Sequence, residues 1–390
     1  MGFKMGARVE TGLDRIVGEG LVSLRGANVG LVINHTSVTQ DLRFSVELFK
    51  KALKRSLKVV FTPEHGLLGD VADGVKISSY FDRDFEVYVF SLYGDACEPP
   101  RDIIGDLDVI VYDIQDIGVR WYTYISTLYK VMEAAGRVGV PVIVLDRPNP
   151  LTGTIIEGPL LDLKFRSFIG IADIPVRYGL TVGELSHFLN NRFQLGAEVR
   201  VARMKGWERR MWFDETGLLW VPTSPNIPTL NTALIYAGTC IFEATNVSEG
   251  RGTTKPFEYI GAPWLNWRKV LEHIGSRNIH GALLRAVAFR PFSSKYRGSR
   301  CLGFQIHVYD RAVFKPLRVA LMLLEAIKAC HEDVFEWIKR GNQYIIDKLL
   351  GTDTIRKRLE AGEKVDDFYD ELEGPLKNYW VKAKNYLFYE

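Results

Sequence analysis

The chain has 390 residues, 47% hydrophobic and 25% charged, the composition of a folded protein too long for one ordinary core. Lys and Arg total 50 against 47 Asp and Glu, a net charge of +3 with no basic run, which argues against a nucleic-acid or anionic-membrane partner. No apolar stretch reaches the roughly 20 residues of a membrane helix, and Cys97, Cys240, Cys301 and Cys330 form no CxxC pair, so a membrane span, a zinc site and a dithiol site are all unexpected.

The opening residues lack the apolar core of a signal peptide, and a cytoplasmic location is expected. From there the first 150 residues alternate strand-like and helix-like segments. The runs VGLVIN (29–34), LKVVF (57–61), VYVFSL (87–92), LDVIVYD (107–113) and VPVIVLD (140–146) are short and apolar throughout, as strands covered on both faces must be. Amphipathic stretches such as SVELFKKALKR and TYISTLYKVMEAAGRVG lie between them, the latter stopped by Gly139 with Pro141 just beyond. This alternation predicts a Rossmann-like, doubly wound parallel sheet over residues 1–155. Texture changes after PNPLTG. GELSHFLNNRF, with Thr181 as its N-cap, predicts a helix and VRVARM a strand. VPTSPNIPTL carries three prolines and predicts a rigid loop, NTALIYAGTCIFEATN a helix then a strand, and CLGFQIHVYD a strand. The last 75 residues are helical in pattern. Residues 156–390 therefore read as a second α+β domain, packed against the first with a cleft between them.

Each early strand breaks into a polar segment at its C-terminal end, where open α/β sheets bind ligands. Asn34, His35, Glu64, His65, Asp113, Gln115, Asp116, Asp146 and Arg147 are thus expected along one rim. A second polar segment, EATNVSEGRGTTKPFE (243–258), holds Glu249 and Arg251 either side of Gly250, with Asn246 and Thr253 as further polar groups. Its glycines permit the tight turns that let an acid and a base address one ligand.

Several chemistries fail on spacing. Lys255 follows the threonines of GRGTTK, the reverse of a Walker A order, and no GxGxxG opens a helix after the first strand. No HExxH or GxSxG occurs. Neither a cofactor nor a resident metal is expected, although the acids of DIQD leave a metal-dependent hydrolase as a rival reading. Asp113 and Asp116 serve equally well as helix caps. Carboxylate-pair chemistry remains, with an acid to protonate a glycosidic oxygen and a second group beyond the ring. Glu64, just past a buried strand end in FTPEHG, fits the acid, or else is a loop carboxylate satisfied by backbone N–H groups. Glu249, expected to face it, fits the second group. Arg120, Arg147 and Arg251 suit an acidic sugar, since guanidinium forks match carboxylates. Trp121, Tyr122 and Tyr124 either stack on a pyranose or fill the core.

Taken together, FTPEHGLLG, SLYG, YDIQDIGVRWYTY, VLDRPNPLTG, EGPLLD, YGLTVGEL, PTSPNIPTLNTALIYAGTCIFEATNVSEGRGTTKPFEYIGAPW and KYRGSRCLGFQIHV resemble the NamZ-type exo-β-N-acetylmuramidase family, in order over about residues 15–360. The resemblance implies a Rossmann-like N-terminal domain, a C-terminal α/β domain and an active site in the cleft between them. It implies removal of non-reducing terminal N-acetylmuramic acid from peptidoglycan fragments, a small carbohydrate substrate. Glu64 matches the family's acid/base glutamate, the SEGRGT block supplies Glu249 and Arg251, and DIQDIGxRxYTY supplies Asp116, Arg120 and Tyr122. Asn34, His65, Gln115, Arg147, Asn246 and Thr253 complete the expected substrate-binding set. The nucleophile, the stereochemical course and the oligomeric state stay open, and a non-catalytic muropeptide sensor is the remaining rival.

Overall fold

The five apolar runs are five parallel strands of one sheet in the computed structural model, which describes residues 8–94, 96–277 and 279–390. The sheet has seven strands: β1 (Val29–Ile33), β2 (Leu57–Thr62), β3 (Tyr80–Asp82), β4 (Val87–Ser91), β5 (Val109–Asp113), β6 (Val142–Leu145) and β7 (Val199–Ala202). Their order is β3-β4-β2-β1-β5-β6-β7, every neighbour parallel except the short edge strand β3, which runs antiparallel to β4. β1 and β5 are buried along their whole length, which is why they carry no alternation. Leu13, Val46, Phe49 and Leu53 of the helices Gly12–Gly18 and Ser45–Leu53 join Leu31, Ile33, Val60 and Val111 in one apolar cluster.

VRVARM, read above as belonging to the second domain, is β7 of this sheet and pairs Val199 with Val142 of β6. The helix Val182–Phe193 is therefore a crossover, and the alternation continues past the change of texture. Thr181 caps that helix as predicted, accepting from the Glu184 N–H while Glu184 returns to the Thr181 N–H. Asp146, one residue past β6, accepts from the Thr181 hydroxyl, the Gly183 and Arg147 N–H groups and the Tyr389 hydroxyl at 2.6–3.0 Å. Burial nevertheless pushes its carboxyl up to about 7. The Tyr389 hydroxyl also accepts from the Met204 N–H just beyond β7.

By its contacts the chain divides into two compact units. One comprises the chain up to Ile155, Tyr178–Pro225 and Trp380–Glu390; the other comprises Ile156–Arg177 and Asn226–Tyr379. The second unit holds a three-stranded antiparallel sheet, β8 (Tyr259–Ala262), β9 (Ala282–Phe289) and β10 (Cys301–Val308), with β10 in the middle. The segment NTALIYAGTCIFEATN is not a helix and a strand. Helix Leu230–Thr239 tightens into a 3-10 turn over Cys240–Ala244, which swings the chain directly into the glycine-bearing loop. Glu157 and Arg177 form a buried pair, and Glu157 also accepts from the Leu317 N–H and the Tyr369 hydroxyl. None of the described helices is long and apolar enough to cross a membrane.

Helices Leu230–Thr239 and Pro316–Cys330 approach at Gly238, where a Cβ would lie 2.0 Å from the Pro316 carbonyl oxygen. Gly139, the left-handed cap of helix Tyr124–Val138, faces open space. Gly238→Ala is expected to cost at least about 2 kcal/mol, since backbone must move, and Gly139→Ala only about 1 kcal/mol of left-handed strain. Denaturant melts of the two variants compare them; equal losses would mean that the helix contact is not tight.

Candidate active site

β1 has β2 on one side and β5 on the other, so the strand order reverses between β1 and β5. The carboxyl ends at such a reversal leave a crevice, because the two connections leave in opposite directions. Here the segments Asn34–Ser37 and Asp113–Gly118 meet. Thr36 joins them: its N–H and hydroxyl donate to Asn34 Oδ1 at 2.9 and 2.6 Å, and its Oγ1 accepts from the Gln115 N–H at 3.0 Å. The Ser37 hydroxyl donates to the Asp113 carbonyl. Asn34 Nδ2 is buried without a partner among the described residues. Arg147 Nε donates to Asp113 Oδ1 at 2.6 Å and its Nη2 to the Val38 carbonyl at 3.1 Å, in a pair that is almost wholly buried. Burial raises the Asp113 carboxyl, against the pull of Arg147.

Gln115 and Arg147 stand between two cavities. The first, with about 30 Å³ of room, is also lined by Thr36, Thr39, Gln40 and Leu219. The second is closed to a water-sized molecule and is completed by Asp116, Asn149 and Tyr178. Gln115 spends its amide donors on the Asp116 and Pro148 carbonyls, which fixes its orientation. Asp116 Oδ2 accepts from the Tyr178 hydroxyl and the Gly118 N–H, while Oδ1 is buried without a partner among the described residues. Burial pushes this carboxyl up to about 6, with the Tyr178 hydroxyl and the Gly118 and Ile117 N–H groups opposing.

Of the two readings of Trp121, Tyr122 and Tyr124, burial agrees with the core. Tyr122 and Tyr124 meet edge-to-face at 4.8 Å, and their hydroxyls donate to Thr223 Oγ1 and the Thr223 carbonyl. Trp121 is buried too, because all three residues lead into a helix packed on the sheet. Arg120 is fully buried, and desolvation lowers its guanidinium to about 9.

Glu64 is half-buried beyond β2. Its Oε1 accepts from the Gly74 N–H at 3.0 Å and its Oε2 from the Thr123 hydroxyl at 2.9 Å. It therefore touches the cap of the helix that follows DIGVRWYT, and its charge adds to the burial that raises Tyr124. Neither cavity is lined by Glu64. His65 points elsewhere: at φ 73° it turns the chain, is buried, and places Nδ1 2.8 Å from the Val71 carbonyl. His35 Nε2 lies 2.6 Å from the Pro222 carbonyl, and burial lowers this imidazole.

In the second unit the glycine-bearing loop is built as its composition requires. Gly250 and Gly252 have φ of 78° and 74°, and a Cβ on either would lie within 2.6 Å of backbone atoms of Tyr259 or Ser293. Glu249 is buried, with Oε2 2.9 Å from Lys295 Nζ and Oε1 3.5 Å from Arg251 Nε. Arg251 does not reach out alone: its Nη2 is 2.6 Å from Glu243 Oε1, and its guanidinium lies over the Phe257 ring. Burial raises the Glu243 carboxyl, chiefly against Arg251. Asn246 is occupied by the chain at 334–336, donating to the Val334 carbonyl and accepting from the Glu336 N–H. Thr253 donates to the Gly250 carbonyl and accepts from the Lys255 N–H. Both shape the loop.

Four partners went unremarked in the sequence: Thr36, Tyr178, Glu243 and Lys295. Lys295 lies inside KYRGSR and Glu243 opens EATNVSEG, so only their later neighbours reveal them.

Comparison with known proteins agrees over the whole chain. Residues 29–231 match the N-terminal and residues 234–389 the C-terminal family model of exo-β-N-acetylmuramidase NamZ. The peptidoglycan β-N-acetylmuramidase NamZ of Bacillus subtilis is 39% identical over 382 residues, 98% of this chain and 92% of its own. A crystal structure of a DUF1343 family protein from Bacteroides fragilis superposes with a TM-score of 0.91 at 31% identity, covering 99% of this chain and 100% of the other. A second B. fragilis DUF1343 structure gives 0.76 at 25% identity, covering 98% and 99%. Two family models laid end to end, a relative matched along nearly its full length and a shared fold lead to one conclusion: this chain belongs to the exo-β-N-acetylmuramidase NamZ family.

Proposed function

We propose that this protein is an exo-acting glycoside hydrolase that removes N-acetylmuramic acid from the non-reducing end of peptidoglycan-derived fragments. The observation that carries the reading is the 39% identity with the B. subtilis peptidoglycan β-N-acetylmuramidase along 98% of the chain. Glu64 is the general acid: it passes its proton to the glycosidic oxygen as the bond to the anomeric carbon breaks. Its support is a half-buried carboxyl whose two oxygens are oriented by the Gly74 N–H and the Thr123 hydroxyl. Glu249 is the second carboxylate and stabilises the positive charge that develops on the sugar ring. Asn34 Nδ2 and Asp116 Oδ1, a buried donor and a buried acceptor, take up sugar hydroxyls, which supplies the hydrogen bonds they lack within the protein. Gln115 and Arg147 hold the walls of that crevice. His65 shapes the turn that carries Glu64, and Arg120 and Tyr122 support the segment beside Thr123 from the core. Arg251 belongs with Glu249, whose charge it balances.

Chromogenic β-glycosides of N-acetylmuramic acid, N-acetylglucosamine and glucose test the activity. Hydrolysis of the first alone is expected; turnover of none by folded protein would refute the reading. Glu64→Gln should lower kcat by about 10³-fold with KM within a few-fold, the loss typical of a missing general acid. A variant with the wild-type rate would remove Glu64 from the chemistry.

Asp116 gives a pH test. An unfolded aspartate titrates near 3.9, whereas this one is held at about 6, so the native state binds the proton more tightly. Its contribution is fully present below about pH 4 and is lost as pH rises through 6, about 3 kcal/mol in all. Asp116→Asn keeps the acceptor for Tyr178 and Gly118 but carries no charge. Its stability relative to wild type should therefore rise between pH 4 and 7 in urea melts, while activity falls. Parallel pH–stability curves would show that Asp116 does not titrate there.

A further inference from the structure

Lys295 lies on a short turn, Pro291–Gly298, closed by the Gly298 N–H donating to the Pro291 carbonyl. The residues on both sides of it, Ser294 and Tyr296, have φ of 65° and 57°, a conformation that non-glycine side chains adopt at a cost. Two exceptions flanking one residue imply that something over-determines the backbone, and the contacts of this turn show what does. The Phe292 N–H donates to the Gly252 carbonyl at 2.7 Å, and the Tyr296 hydroxyl donates to the Asn246 carbonyl at 2.5 Å. The turn is thus clamped to both ends of the loop that carries Glu249. Between those clamps, Lys295 Nζ lies 2.9 Å from Glu249 Oε2, 2.8 Å from the Phe242 carbonyl and 3.0 Å from the Val247 carbonyl.

An ammonium has three N–H donors and no acceptor. Three acceptors at hydrogen-bond distance use all of them, so Lys295 has no donor left for a substrate. Its effect must pass through what it holds. Two of its partners are backbone carbonyls of the chain entering the loop, and the third is one oxygen of a buried carboxylate. Together they fix the Glu249 side chain in one rotamer, with Oε2 committed to the ammonium and Oε1 directed to the Arg251 side.

We propose that Lys295 is the positioning residue for Glu249, pinning Oε2 so that Oε1 is the oxygen presented to the sugar. This rests on the catalytic reading of Glu249. A carboxylate that swings by 1 Å loses about 10²-fold in rate even when it is still present.

The test is a kinetic cycle on a chromogenic β-glycoside of N-acetylmuramic acid with wild type, Lys295→Met, Glu249→Gln and the double variant. Lys295→Met is expected to lower kcat by about 10²-fold with KM within about threefold. The double variant should be no slower than Glu249→Gln, because a residue that works only through Glu249 has nothing left to position. Losses that multiply would overturn the proposal and make Lys295 a contributor in its own right. A Glu249→Gln enzyme at the wild-type rate would instead refute the catalytic reading of Glu249. Full activity of Lys295→Met beside an inactive Glu249→Gln would refute Lys295 alone. If Lys295→Met does not fold, Lys295→Arg serves: it keeps the charge but cannot place three donors on one nitrogen. At least a 10-fold fall in kcat is then expected, and a wild-type rate would overturn the proposal.

Discussion

Arg147 and Asp113 form an ion pair inside the first unit, and the crevice at the strand reversal depends on it. Asp113 ends β5 and Arg147 follows β6 by two residues, so the pair ties two strand ends together above the sheet. The same guanidinium reaches back to Val38 in the segment after β1. Three strand ends are thus held by one side chain. Such a pair adds little net stability, because desolvating two charges consumes most of their attraction, but losing either partner strands a buried charge at a cost of about 3–5 kcal/mol. Its value lies in fixing geometry: Gln115 and Asp116 leave β5 in a set direction because Asp113 cannot move.

Three carboxylates, Glu64, Asp116 and Glu249, are set into three different surroundings. Glu64 has a hydroxyl and one N–H as partners and keeps some exposure, the least committed of the three. Asp116 has only neutral donors and full burial, so it holds a proton well above the usual aspartate range. Glu249 is buried between an ammonium and a guanidinium. Environment, not residue type, sets like groups apart.

The parallel sheet was legible in the sequence because a doubly covered strand needs an unbroken apolar run, and that signal is local. The rim residues were legible for the same reason: they are whatever follows the run. β7 was missed as part of this sheet because VRVA is half-exposed at an edge and lies after a change of composition. Tyr122 looked like a sugar platform because aromatic size serves core and ligand alike, and only burial tells them apart. Arg251 was read only as a match for an acidic sugar, because its partner Glu243 lies eight residues earlier, on the far side of a 3-10 turn. Lys295, 46 residues from Glu249, was illegible because side-chain pairing across a fold leaves no periodic trace.

Tyr389 has a consequence for how the molecule is made. Its hydroxyl links Asp146 beside β6 to the chain leaving β7, while the Phe388 N–H reaches Glu184 in the intervening crossover helix. A ribosome delivers β1 to β6 within the first 145 residues, but this fastening arrives more than 240 residues later. The latch on the seventh strand can form only after the chain has emerged past Tyr389. Closure of the first unit thus uses a contact of long sequence separation, and long-range closure of this sort is slow.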